Sequence, residues 1–327
     1  MNGFDRGRPV LLGLLAVLVA GCNWHAPRNN EFDPQRGGNI EGRVLTRSAR
    51  AVAGAEVLVR DAGRLCYADS AGGFRLFGLP EESLRVVITA DSFVPDSVTV
   101  ALRRGVIDSI MVSLNGRPLV LACGLKTHVY GRNWPPDPLS FCEMTASVSD
   151  RDGDSDVDSV WVEVRDAVLR KRLEYDPDRR VFSSTLYAGS LPGQSLEPLV
   201  GCDFVFQVAD REGATAAAPP TQIVRVMCCL PEPVFPSSGT DSLSGDTTFV
   251  WHRYKYDYPA SYHGEVVRIE AGGPAGVALS FDRPAPDDTT GRVAISSLLS
   301  GEYYWTVEVI DGYGNSCRSA EQRFYVR

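Results

Sequence analysis

The stretch Tyr303-Tyr304-Trp305-Thr306-Val307-Glu308-Val309 places a bulky apolar residue at every second position. Period two is the period of a β-strand, whose successive side chains point to opposite faces, so Tyr303, Trp305, Val307 and Val309 form one inward face. The chain then reverses at Asp311-Gly312-Tyr313-Gly314-Asn315, a run of residues that favour turns. Short alternating runs rich in Val, Thr, Tyr, Phe and Trp recur along the 327 residues, among 31 dispersed glycines and 21 prolines. No segment keeps a helical period. The pattern predicts an all-β chain built of several sandwiches.

The length predicts two or three domains at roughly 100 to 200 residues each. The formal charge of -8 and the lack of a basic patch exclude a nucleic-acid partner. Eight cysteines are out of place in a reducing cytosol and point to an exported protein.

The N-terminus agrees. Val10 to Gly21 is a run of twelve uncharged residues preceded by Arg6 and Arg8, the layout of a secretory signal. It falls short of the roughly 20 apolar residues of a spanning helix. It closes on Val19-Ala20-Gly21-Cys22, which resembles the lipobox of bacterial lipoproteins. The resemblance implies a signal peptide over 1–21, cleavage before Cys22, and a lipid on that cysteine that makes the membrane a partner. Two or three acyl chains, at roughly 0.8 kcal/mol per buried methylene, hold a protein on a bilayer where one chain is marginal. Asn23 after the cysteine implies the outer membrane. The alternative is an ordinary signal peptide ending in a chance cysteine. Asp5, Arg6 and Arg8 carry net +1, so the mature chain stands at -9. Residues 22–38 read as a lipidated, disordered tether, with Trp24 resting at the membrane interface.

Residues 39–115 carry Ile40, Gly42 and Val44, then Val57 and Val59, a glycine turn at Gly72-Gly73, and Phe74 and Leu76. This unit resembles the carboxypeptidase regulatory-like domain, a transthyretin-like β-sandwich. It departs from that family at Asp91-Ser92-Phe93, which stands where the family has a Gly-Tyr pair. The modules lack zinc ligands, and this one contains no histidine, so no peptidase chemistry is expected. Residues 117–229, with strands expected at 145–148, 160–164, 182–186 and 204–208, resemble an immunoglobulin-like sandwich. By that resemblance Cys142 and Cys202 form an inter-sheet disulfide with Trp161 packed on it. Such a bridge closes a loop of about 60 residues, worth roughly 4 kcal/mol. Cys123 and Cys228 are a further candidate pair. Residues 230–327, through Phe249, Trp251, the opening stretch, Phe324 and Val326, resemble a fibronectin type III-like module. There Cys229 could pair with Cys317, leaving Cys66 over.

Two clusters invite function. Asp150, Asp152, Asp154, Asp156 and Asp158 surround Gly153, and hard oxygen ligands at alternating positions suit calcium. The EF-hand pattern fails: counted from Asp150, Ser155 takes the glycine position and Trp161 the terminal glutamate position. Counted from Asp152, Glu163 fits the end but Val157 replaces the glycine. The competing reading is a solvated acidic hairpin. Asp210 and Glu212 are possible extra ligands. Tyr254, Tyr256 and Tyr258, at spacing two, share one face of an extended segment and could anchor a glycan or protein, or simply cover the end of a sandwich. No nucleophile elbow, zinc-binding helix motif, P-loop or dinucleotide fingerprint is present. Four histidines, His25, His128, His252 and His263, sit in no catalytic motif, and a His252–Asp257 pair is a weak alternative.

The expectation is therefore an outer-membrane-type lipoprotein presenting three β-sandwiches in series for binding, adhesion or scaffolding, without cofactor unless calcium. A carbohydrate-binding accessory protein and a cryptic envelope hydrolase are the alternatives.

Overall fold

The computed structural model describes residues 35–327 except 134, 135, 240, 241, 256, 257, 272, 284 and 286. Cys22, the signal segment, Trp24, Tyr256 and Asp257 lie outside the described residues. The chain is all-β. It divides into two compact units, one ending at Gly116 and one running from Arg117 to Arg327.

The first unit contains β1 (Gly38–Thr46), β2 (Glu56–Val59), β3 (Arg64–Tyr67), β4 (Gly73–Leu79), β5 (Ser83–Thr89), β6 (Asp96–Ala101) and β7 (Ile107–Leu114). A three-stranded sheet in the order β4-β1-β7 faces a four-stranded one in the order β3-β2-β5-β6. Ile40, Val44, Val57, Val59, Val86 and Ile88 are fully buried between them, at the alternating positions that the sequence predicts. Ser92, at the departure from the family pattern, has φ of 66°, the left-handed conformation that glycine adopts at least cost.

The second unit begins with β8 (Leu119–Tyr130), β9 (Leu139–Ser149), β10 (Val157–Val164), β11 (Leu169–Asp176), β12 (Val181–Tyr187), β13 (Phe204–Asp210) and β14 (Thr215–Ala217). It continues with β15 (Pro233–Phe235), β16 (Thr247–Trp251), β17 (Ala260–Glu270), β18 (Gly273–Arg283), β19 (Thr290–Val293), β20 (Gly301–Asp311), β21 (Ser316–Arg318) and β22 (Gln322–Val326). One sheet runs through the unit in the order β14-β13-β10-β11-β12-β9-β8-β21-β20-β17-β18, with β22 also on β20. It bends at β11, whose Leu169–Leu173 pairs with β10 while Glu174–Asp176 pairs with β12. The bend folds β10 and β13 over β9 and encloses Cys142, Met144, Val160, Val162, Phe204 and Phe206, all fully buried.

The far half of the sheet is covered by β15-β16-β19. Its core is aromatic: Trp251, Phe249, Tyr303, Trp305 and Phe324. Phe249 lies 4.8 Å from Trp305 between ring centres, a contact worth about 0.5–1.5 kcal/mol beyond its area. The Trp305 indole N–H donates to the Pro236 carbonyl at 2.8 Å. Phe281 covers this core by lying against two glycines: a Cβ on Gly264 would come within 2.1 Å of its ring and one on Gly291 within 2.6 Å.

Where the two halves of this unit meet, β21 pairs in parallel with β8, Ser316 opposite His128 and Arg318 opposite Tyr130. The reversing turn at 311–315 makes the joint. Asp311 Oδ1 accepts the backbone N–H groups of Tyr313 and Asn315 at 2.8 and 2.9 Å, and Gly314 takes a positive φ of 82°. Asn315 Oδ1, so held, accepts the Thr127 backbone N–H at 3.0 Å, and the Thr127 hydroxyl donates to the Arg225 carbonyl. The Arg225 guanidinium lies 3.3 Å from Asp311 Oδ2.

Replacing Asn315 by Ala strands the Thr127 N–H in a buried place. We expect a loss of about 1–3 kcal/mol in urea unfolding, the cost of one buried unsatisfied donor; an unchanged midpoint would show that the joint carries no stability.

Candidate functional site

The acidic stretch is partly gathered by the fold. Asp150 follows β9, Asp156 ends the one-turn 3-10 segment Asp154–Asp156 before β10, and Asp210 closes β13. Carboxylate oxygens of these three residues lie within 4.8 Å of one another. Asp150 and Asp210 are 8 % and 3 % exposed. Each is fixed by backbone: Asp150 Oδ1 accepts the Asp152 N–H at 2.7 Å, and Asp210 Oδ1 the Ala214 N–H at 2.8 Å. The loops are tied together by the Arg211 N–H donating to the Asp156 carbonyl. Burial, then the charges of Asp156, Asp152 and Asp210, push the Asp150 carboxyl up to about 6. Asp154 and Asp158 are exposed and outside the trio. Asp210, a secondary candidate in the sequence, is thus a full member.

Of the three tyrosines, the two described, Tyr254 and Tyr258, do not make an exposed platform. Tyr254 and Tyr258 pack against the aromatic core. The Tyr254 hydroxyl accepts from the Cys317 thiol at 3.2 Å, and the Arg225 guanidinium sits 4.0 Å over the Tyr258 ring. They cover the end of the sandwich, the plainer of the two sequence readings.

The cysteine pairings expected from the immunoglobulin likeness are not made. Cys66, Cys123, Cys142, Cys202 and Cys317 stand as unbridged thiols. Cys142 points into the core, Cys202 donates to the Pro198 carbonyl in the loop before β13, and the Cys228 sulfur lies 3.7 Å from Cys229. Trp161 faces outward, because Val160 and Val162 take the inward positions of β10. Its indole N–H donates to Glu163, and Arg170 lies 4.8 Å over its ring.

Sequence reasoning missed the outer face of the continuous sheet. Tyr187 on β12, Phe141 on β9, His128 on β8 and Ser316 on β21 are cross-strand neighbours in that order. Phe141 stacks on His128 at 4.9 Å, meets Tyr130 edge-on at 5.2 Å and lies 5.9 Å from Tyr187, which is 50 % exposed. Arg318 lies 4.2 Å over Tyr130. Glu143, two residues along from Phe141 on the same face, is paired with Arg179. The one-dimensional signal was there, since His128 and Tyr130 alternate with buried Thr127 and Val129. That four strands bring such residues side by side required the pairing.

Ser316, His128 and Glu308 have the composition of a hydrolytic triad but not its wiring. The Ser316 hydroxyl donates to Glu308, so Ser316 Oγ accepts from His128 Nδ1–H, 2.7 Å away. The serine stands between the acid and the base and is 1 % exposed, which leaves it unactivated and closed to substrate. Burial lowers the His128 pKa, against the opposing pull of Glu308 and Glu143.

No family model and no curated protein matches the chain. Solved structures similar to it include the FN1-FN3 domains of chicken CNTN1, 12 % identical over 85 % of this chain and 92 % of that one, TM-score 0.32. Others are the fibronectin(III)-like modules of Clostridium thermocellum CbhA, 13 % identical over 64 % and 92 %, TM-score 0.28, and a putative carbohydrate binding protein from Bacteroides uniformis, 12 % identical over 57 % and 97 %, TM-score 0.23. At these scores the assignment to β-sandwiches rests on the strand pairing described above.

The same outer face continues to His263 on β17, opposite Glu308 and Asp282. Burial draws its pKa down, but hydrogen bonding to Asp282 at 2.7 Å and the charges of Asp282 and Glu265 outweigh that, and the net shift is upward. A raised value means that the protonated pair stabilises the fold fully below the unfolded histidine pKa of about 6.5 and loses this as pH rises through the folded value. The melting temperature of His263→Gln should therefore fall below that of the parent at pH 5.5 and approach it at pH 8.5; a constant difference would refute the pair's role.

Proposed function

We propose that the chain is a non-catalytic protein of the bacterial cell envelope, anchored through lipid on Cys22, that binds a ligand on the outer face of its continuous sheet. The observation that carries this is the contiguous ring cluster of Tyr187, Phe141, His128 and Tyr130, bordered by Arg318 and Glu143. Its rings are held in stacked, tilted and edge-to-face contacts by strands that leave them little freedom, so contact area is available at small entropic cost. The reversed order of Ser316, His128 and Glu308 supports the non-catalytic part of the reading. Rings flanked by carboxylates and guanidinium groups on a β-face also favour a saccharide among possible ligands, since apolar sugar faces stack on aromatics while hydroxyls bond to charged groups at the rim.

Two measurements test the proposal. Cys22→Ser should abolish incorporation of labelled palmitate and release the protein from membranes; retention of label would place the lipid elsewhere. A glycan array probed with the released protein should give signals that Phe141→Ala with Tyr187→Ala reduces at least tenfold while the fold, read by circular dichroism, is kept. A clean array would move the reading to a protein partner, and signals indifferent to the two substitutions would remove this face from the proposal.

A further inference from the structure

We propose that Asp150, Asp156 and Asp210 form a calcium site that clasps the two layers of the first sandwich of the second unit at one end. Asp150 leaves β9, in one layer, while Asp156 enters β10 and Asp210 leaves β13, in the other. A cation between them adds a polar tie at one end of layers that otherwise meet through their apolar core.

Three carboxylates in proximity are not by themselves a site. What singles out this trio is the state of Asp150. It is 8 % exposed, its Oδ1 is used by the Asp152 N–H, and its Oδ2 is buried with no hydrogen-bond partner. A buried carboxylate oxygen left without a donor is destabilising, and more so when charged. The charges that act on it are those of Asp156, Asp152 and Asp210, so its electrostatic surroundings are repulsive. A divalent cation answers both deficits, as a partner for the oxygen and as charge compensation for the trio.

The donor set selects the ion. It is all carboxylate oxygen, which suits hard cations and disfavours zinc or copper. Oxygens within 4.8 Å of one another can share one ion at the calcium–oxygen length of about 2.3–2.6 Å, twice which is about 4.6–5.2 Å. The shorter magnesium bonds of about 2.0–2.1 Å and strict octahedral demand fit a site fixed by backbone less well. Monodentate or bidentate binding by three carboxylates leaves positions for water in a shell of six to eight.

The full chain, purified in detergent and stripped with chelator, should be titrated calorimetrically with calcium chloride and, separately, with magnesium chloride. One saturable calcium site is expected, with magnesium at least tenfold weaker and a melting temperature that rises with calcium. Asp150→Asn should weaken calcium binding at least tenfold. Without calcium it should melt at or above the parent temperature, because one of the repelling charges is gone; a merely damaged fold would melt lower. Asp158→Asn, exposed and outside the trio, should bind as the parent does. If Asp150→Asn fails to fold, Asp210→Asn takes its place. The proposal is overturned if the folded parent shows neither heat nor a melting shift up to about 10 mM calcium, well above the millimolar range of extracellular sites. It is equally overturned if both variants bind as tightly as the parent.

Discussion

The second unit depends on a single buried knot: Asp311 shapes its own turn, the turn aims Asn315, and Asn315 receives the first strand of the unit through Thr127. The side chain of Asp311 is 1 % exposed, and a charge so placed requires compensation. It has that from two backbone N–H groups, the Asn315 amide and the Arg225 guanidinium. Arg225 in turn extends over the rings of Tyr258 and Tyr313. Tyr258, which the sequence offered as part of a binding platform, is thereby committed to holding the joint, and the joint holds β21 in line with β8.

That alignment makes two sandwiches share one sheet, and the sharing creates the outer face. Cross-strand neighbours interact as units only where register is fixed. Here the parallel pairing of Ser316 with His128 carries the row from β12 across to β20 and β17. The inner side of the same strands is mostly apolar, with Thr127 and Asp311 as buried polar exceptions at the joint. The different chemistry of the two faces follows from the period-two geometry of the strands.

Much of the fold was legible because alternation reports burial directly. Tyr303, Trp305, Val307 and Val309 all face the core, as do Val160, Val162, Phe204 and Phe206. The immunoglobulin resemblance misled at Trp161, where composition matched and phase did not: a residue one step from Val160 and Val162 must face outward. Of the acidic residues, sequence proximity brought in Asp152, Asp154 and Asp158, but the convergence on Asp210 comes from a strand pair, with Val157 opposite Asp210. The ring cluster was hidden for the same reason, since its members come from three separated strands and only pairing makes them neighbours.

The contact between Thr127 and Asn315 spans 188 residues. β8 is the first strand of its unit to leave the ribosome, and its partner β21 is nearly the last. Over the whole interval between them, the edge of β8 from His128 to Tyr130 lacks its strand partner, with backbone donors and acceptors of the kind that recruit stray strands. Neither half of this unit is thus a complete molecule in its own right: cut between Cys229 and Leu230, each would carry a raw edge where the other had been.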